Sequence, residues 1–550
     1  MLGVSPSCKT ANINGTLLSL LDKCKSMLEL KKLHAIGISY GLSHEYSFIF
    51  KILSFSALSN SGDIDYSYRV FSQISSPTIF SWNIIIRGYS NSKNPIHSLS
   101  IFLKMLRHGV APDYLTYPFL VKASARLSKQ KSGVSVHAQI IKTGHESDRF
   151  IQNSLIHMYA SCGNIMWAHK VFESMQGKNL VSWNSMLDGY AKCGEMAMAQ
   201  KVFESMQERD VRSWSSFIDG YVKAGEYREA MAVFEKMRAV GPKANEVTMV
   251  SVLSACAHLG ALQKGRMMHQ YIIDNLLPMT MVLQTSLVDM YAKCGAIEEA
   301  LFVFRGISKS QTDVFIWNAM IGGLATHGLV EESLKLFKEM QMAGIRSDEI
   351  TYLCLLAACA HGGLVKEAWN FFESLVKRGM TPTSEHYACM VDVLARAGQL
   401  TTAYQFICQI PIEPTASMLG AIFSGCINHR NFDLAETVGR KLIELDPNND
   451  GRYIGLSNVY AVVKRWDDSK SMREAMERRG VKKSPGFSFV EISEIHHRFI
   501  AHDKTHPDSD ETYSMLHFVV CQMKHGCPQD NQEDNLLNDT SIEDDLILFE

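Results

Sequence analysis

The residues with most capacity for chemistry are placed along this 550-residue chain in a way that argues against a catalytic centre. Zinc-activated water chemistry needs three protein ligands beside an acid–base glutamate, and sequences supply them as closely spaced pairs. None of the 20 histidines is followed two places on by Glu, and none of the 13 cysteines belongs to a CxxC pair. His497, His502 and His506 could resemble a metal cluster, but they lie in a stretch from Ser484, SPGFSFVEISEIHHRFIAHDKTH, that reads as a short strand pair or an extended segment. His34, His137 and His269 recur at matching places, each followed by an apolar run, which marks packing rather than ligation. Cys162, Cys193 and Cys294 each stand before a glycine in a repeated phrase, and Cys521 and Cys527 adjoin a polar tail. The expectation is no catalytic residue, no metal and no cofactor.

A second pattern is made by small polar residues at fixed spacing. Trp82, Trp183, Trp214 and Trp317 directly precede Asn83, Asn184, Ser215 and Asn318, at intervals of 101, 31 and 103 residues. A single Asn or Ser at the start of a helix is ordinarily a cap or a solvated group. Recurrence in one register marks these residues as parts of a repeated unit.

The elements that must hold these residues are legible in 180–245, which states one phrase twice: LVSWNSMLDGYAKCGEMAMAQKVFESMQERD, then VRSWSSFIDGYVKAGEYREAMAVFEKMRAVGPKAN. Trp214, Phe217, Ile218, Tyr221 and Val222 mark one helical face, Gly225 ends that helix, and Ala230, Val233, Phe234 and Met237 mark a second. Each copy is a helical hairpin too small to bury its apolar faces alone, so it must stack on neighbours. Units begin near 11, 47, 79, 114, 149, 180, 211, 246, 281, 314, 349 and 384. Lys51 and Ser56 fit the pattern poorly, and Lys93 stands where the marker glycine would fall. The predicted fold is all-α, an α-solenoid forming a right-handed superhelix of helix–turn–helix repeats. Its divisions are a short N-terminal segment at 1–10, an array of about 12 repeats at 11–415, two further helix pairs at 416–483, an extension at 484–516, and an acidic tail at 517–550 expected to be disordered.

Composition sets outer bounds. Apolar residues make up 46% and charged residues 20%, ordinary for a folded soluble domain. The net charge of −2 hides an asymmetry: eight acids and no Lys or Arg follow Lys524, and without them residues 1–529 stand at about +6. That balance is compatible with a polyanionic partner. The cysteine pattern suggests a reduced compartment, and no apolar run approaches a membrane span.

The units Val211–Asn245, Glu246–Thr280 and Met281–Asp313 resemble the P, L and S motifs of plant pentatricopeptide repeat proteins of the PLS class. So do the phrases SWN at 81–83, GYAKCG at 189–194 and MYAKCG at 290–295, and the resemblance covers 11–516. Residues 416–483 look like that family's E motifs, and Ser484-Pro485-Gly486 onward looks like its E+ extension.

The resemblance implies that the fifth and last residues of each unit read one base of single-stranded RNA. Asn83/Asp113, Asn184/Asp210 and Asn318/Asp348 would then take uracil, Ser215/Asn245 adenine, Thr285/Asp313 guanine, and Asn153/Asn179 a pyrimidine leaning to cytosine. The second residue would wedge between bases: Phe80, Phe150, Val181, Val282 and Phe315, with Arg212 departing from the apolar rule. Pro118/Asp148 belongs to a weaker unit type, and Val250/Thr280, Leu353/Thr383 and Ala388/Thr415 match no informative pair.

Relatives with a C-terminal DYW cytidine deaminase carry HxE and CxxC there. This sequence, which ends in LILFE, carries neither. The function implied is a site-recognition factor for organellar C-to-U RNA editing that recruits a DYW-type deaminase or editing accessory proteins in trans through the E/E+ region, without a membrane. The alternatives are an RNA-binding factor for splicing or transcript stability, and a protein-binding helical scaffold. Residues 1–13 contain no acid and no Arg, a poor transit peptide. The family nonetheless implies the mitochondrion, with the plastid as alternative.

Overall fold

The computed structural model describes residues 15–128, 130–308, 311–483, 486–492, 495–500 and 505–526. Two compact units divide the chain, Met1–Ala255 and Cys256–Glu550, each built of stacked antiparallel helix pairs. In the first, Ile79–Asn91 pairs with Ile96–Arg107, Tyr117–Arg126 with Gln130–Lys142, Arg149–Ser161 with Ile165–Ser174, Leu180–Lys192 with Met196–Ser205, and Val211–Lys223 with Tyr227–Val240. The leading helix of each pair packs on the leading helix of the next, so these helices form one layer and the trailing helices a second. The second unit repeats the scheme from Met281–Lys293 and Ile297–Arg305 to Ala416–Asn428 and Phe432–Leu445, after which Asp450–Val462 packs on Phe432–Leu445 and pairs with Trp466–Arg478. Each unit is an α-solenoid.

The turn inside each hairpin follows from its glycine. Gly194 has φ +77°, its N–H donates to Ala191 O at 3.2 Å, and the Glu195 N–H reaches back to Tyr190 O at 3.0 Å. This is a left-handed helix stop, which a residue with a Cβ adopts only at a cost. Arg430 and Lys464 hold the same place in two later hairpins, at φ +55° and +60°. At 79–113, where the glycine is missing, the helix Ile79–Asn91 ends at Ser92 with an extended backbone instead. The other two misfits also find partners: the Lys51 ammonium meets Asp22, and Ser56 donates to Ile52 O at 2.6 Å.

Between hairpins the landmark tryptophans become packing contacts. Phe71, Phe172 and Phe203 meet Trp82, Trp183 and Trp214 edge-on at 4.7–5.0 Å in the first unit, and Phe304 meets Trp317 at 4.9 Å in the second. Such aromatic pairs add about 1 kcal/mol to the area they bury. The recurring histidines link neighbours too, with Nδ1 of His34, His137 and His269 at 2.7, 2.8 and 2.9 Å from the hydroxyls of Tyr66, Tyr159 and Tyr291. The thiol of Cys193 donates to Ala160 O at 3.6 Å, again in the preceding hairpin.

After Gly480 the helical pattern gives way to strands Phe487–Ile492 and Ile495–Ile500, paired antiparallel with Phe487 opposite Ile500. A final helix, Ser509–Gly526, runs past 516 into the segment expected to be tail, so an ordered helix occupies 517–526. Met515, Phe518 and Val519 provide the helix-forming apolar spacing, which the nearby acidic stretch obscured in sequence. Residues 527–550, with Cys527 and the acids of the tail, and His502 lie outside the described residues. Among the described residues no helix is long and apolar enough to cross a membrane.

Candidate nucleic-acid interface

The sequence-selected polar residues lie near the starts of the leading helices, and three of the asparagines face an aspartate that caps the next leading helix (Asp210, Asp348) or stands three residues before its cap (Asp113). Asn83 Nδ2 donates to Asp113 Oδ1 at 3.0 Å, Asn184 to Asp210 at 3.1 Å, and Asn318 to Asp348 at 2.9 Å. The three asparagines are at most 8% exposed, so their amides are held in place. Asp210 and Asp348 also accept backbone N–H groups of the helices they cap, Asp210 from Ser213 at 2.9 Å, while Asp113 accepts those of Leu115 and Thr116 just ahead of its helix. Burial pushes the Asp210 carboxyl up, but the Ser213 N–H and hydroxyl and the Asn184 amide outweigh that and leave it below the usual carboxylate range.

A third residue completes each pair, and the sequence reading missed it. Thr116, which caps Tyr117–Arg126, and Ser213 and Thr351, the third residues of their helices, set their hydroxyls 2.8, 2.7 and 2.7 Å from the Oδ1 atoms of Asn83, Asn184 and Asn318. The signal was present as a hydroxyl three places after each aspartate. Thr248 plays the same part beside Ser215 and Asn245, with its hydroxyl 2.6 Å from that of Ser215 and 2.9 Å from Asn245 Oδ1.

The remaining pairs differ. Thr285 donates to Met281 O in its own helix at 2.8 Å, while Asp313 accepts from the Ile316 N–H at 3.2 Å, and no hydrogen bond joins Thr285 to Asp313. Ile316 supplies no hydroxyl to bridge them. Asn179 Oδ1 is taken up by Ser182, through its N–H at 3.0 Å and its hydroxyl at 2.9 Å, and Asn153 Oδ1 is buried without a partner.

Three residues before the fifth position stands the second. Phe80, Phe150, Val181, Val282 and Phe315 are each more than half exposed, against the usual burial of such side chains. Val247 and Ile350 share this exposure at the same position in their hairpins, and Leu115 does so in part; all three were absent from the sequence selection. Arg212 is exposed there too. The hairpins of Asn83, Asn184 and Asn318 thus set an uncovered side chain one helical turn from an anchored polar group, a spacing that places both on one face.

Among the described residues no group of three or more His, Cys, Asp or Glu side chains converges to hold a metal ion. His497 Nδ1 lies 2.7 Å from His506 Nε2, tying the second strand to the turn ahead of the last helix.

Models of the PPR repeat family match 77–126, 209–258 and 312–361, those of the PPR repeat match 153–180, 181–211, 285–311 and 350–380, and an E motif matches 429–491. An Arabidopsis thaliana pentatricopeptide repeat-containing protein is 63% identical over 517 residues, covering 94% of this chain and 97% of its own. Two further Arabidopsis thaliana pentatricopeptide repeat-containing proteins, one named chloroplastic and one mitochondrial, are 41% and 34% identical. The first alignment covers 91% of this chain and 90% of the relative, the second 93% and 90%.

Proposed function

This chain belongs to the pentatricopeptide repeat family, and from that premise we propose that it is a sequence-specific single-stranded RNA-binding protein that selects sites for organellar C-to-U editing. One observation carries the reading: Asn83/Asp113, Asn184/Asp210 and Asn318/Asp348 adopt one hydrogen-bonded geometry, each beside an uncovered apolar residue one turn away. The polar group would meet a base edge while the apolar residue stacks on its face, two contacts that single-stranded recognition uses together.

In this reading the RNA, taken 5′ to 3′ from the hairpin that begins at 79, runs U, pyrimidine, C or U, U, A, any, G, U, any, any. Asn83/Asp113, Asn153/Asn179, Asn184/Asp210, Ser215/Asn245, Thr285/Asp313 and Asn318/Asp348 read, while Phe80, Phe150, Val181, Val282 and Phe315 stack. The E-motif match at 429–491 supports editing, with the E and E+ regions at 416–483 and 484–516 recruiting a DYW-type deaminase in trans. The mitochondrion is the proposed site of action and the plastid the alternative, since named relatives fall in both.

The test combines purified full-length protein, zinc and an RNA carrying that base string ahead of a cytidine. Binding that weakens when the string is scrambled, with deamination only after a DYW-type partner is added, is the expected result. Equal affinity for both RNAs would refute the recognition, and deamination without a partner would refute recruitment in trans.

A further inference from the structure

The hydroxyls of Thr116, Ser213 and Thr351 do more than begin helices. Each accepts the backbone N–H of the aspartate three residues earlier, at 3.1, 3.2 and 3.1 Å, and has one proton left to give. Two acceptors compete for it, the asparagine Oδ1 and the aspartate Oδ1. At the first site Asp113 Oδ1 already receives the Asn83 amide and the N–H groups of Leu115 and Thr116 at 2.9–3.1 Å. The asparagine carbonyl is therefore the acceptor in need. At the other two sites the hydroxyl stands nearer to it, at 2.7 Å against 2.9 Å to the carboxylate.

With the carboxylate accepting on one side and the hydroxyl donating on the other, the amide has only one favourable way round. Turning it over would set its carbonyl against the carboxylate. Each asparagine keeps one N–H and one carbonyl lone pair free, in a fixed order. Uracil and cytosine differ at ring position three, where one carries an N–H and the other a lone pair. An amide held one way round matches one of them, and an amide free to turn over matches both.

We propose that Thr116, Ser213 and Thr351 are specificity-positioning residues, whose hydroxyls fix the reading amides of Asn83, Asn184 and Asn318 so that uracil is distinguished from cytosine. The proposal rests on the base-reading assignment above and adds a third residue from the next hairpin to each pair. Asn153 supplies the contrast: Ser182 is spent on Asn179 and the Asn153 carbonyl goes unpartnered, so that hairpin discriminates pyrimidines poorly.

The experiment uses full-length protein and two RNAs that differ only in U or C facing Asn184. Ser213→Ala should lower the ratio of the two affinities about fivefold, the scale of one hydrogen bond, and Ser213→Thr should restore it. The ratio for U against C facing Asn318 should not move in either variant. A general loss of helix capping would weaken both RNAs alike and leave the ratio intact. An unchanged ratio in Ser213→Ala, with Asn184→Ala abolishing it, overturns the positioning role and leaves base reading standing. Equal ratios in the unmodified protein and in Asn184→Ala would overturn base reading itself, and the positioning role with it.

Discussion

The imidazole of His137 and the hydroxyl of Tyr159 meet at 2.8 Å, joining the trailing helix of one hairpin to the leading helix of the next. His269–Tyr291 repeats that link, His34 instead reaches Tyr66 in the trailing helix Ile64–Phe71, and burial pushes all three imidazoles below the ordinary histidine value of 6.5. The unfolded chain therefore binds more protons once pH falls below that value, and the stability present above it is lost on the way down to the folded pKa. Urea midpoints should fall between about pH 7.5 and about pH 5.5. Replacing His34, His137 and His269 together with Gln should flatten that dependence. An undiminished slope in the triple variant would place the acid sensitivity elsewhere.

Hairpin turns give a prediction of opposite signs. A Cβ on Gly194 meets nothing within 4 Å, so Gly194→Ala should cost only the backbone penalty, roughly 1 kcal/mol. Lys464, already in the left-handed region at φ +60°, should yield a gain of up to about 1 kcal/mol on Lys464→Gly. Denaturant titration of both variants checks the pair, and two losses would show that the lysine side chain contributes more than its backbone costs.

Phe315 is 65% exposed, so Phe315→Ala should leave the melting temperature nearly unchanged. In the proposed function the same change should weaken RNA binding by roughly 1–3 kcal/mol, the value of one stacked base. Filter binding at several salt concentrations separates stacking from phosphate attraction. An affinity that ignores Phe315 and vanishes in modest salt would point to the latter.

At the hairpin beginning at 281, Thr285→Asn should move preference from G toward U. The shift should be smaller than the U preference at Asn318, because Ile316 stands where the bridging hydroxyl would be. Competition between G- and U-containing RNAs measures it. A full conversion would show that the carboxylate of Asp313 suffices.

The hairpin order was readable because apolar residues at helical spacing, closed by glycine, leave a helix little choice of face or end. The placement of Asn83, Asn184 and Asn318 opposite their aspartates was readable because a repeated register fixes which residues of neighbouring hairpins face each other. What escaped was contact across hairpins. Ser213 looks in sequence like an ordinary capping residue, and only the approach of the preceding leading helix sets its hydroxyl against Asn184. Asn153 carries the reading residue type but not the bond, because Ser182 satisfies Asn179 first. Val247 and Ile350 were overlooked because an apolar residue on an apolar helix gives no sign of which side stays uncovered.

Within each unit a hairpin touches chiefly the hairpins before and after it, through pairs such as Phe203–Trp214 and Phe304–Trp317. Cohesion in such a stack is local, so the structure behaves as a zipper rather than as a globule with a single melting event. Damage at an inner contact would not spread evenly. It would create a boundary at which the stack parts, leaving ordered segments on both sides, each still presenting its own run of side chains. Partial losses of this kind should show in hydrogen exchange as blocks whose edges coincide with hairpin boundaries.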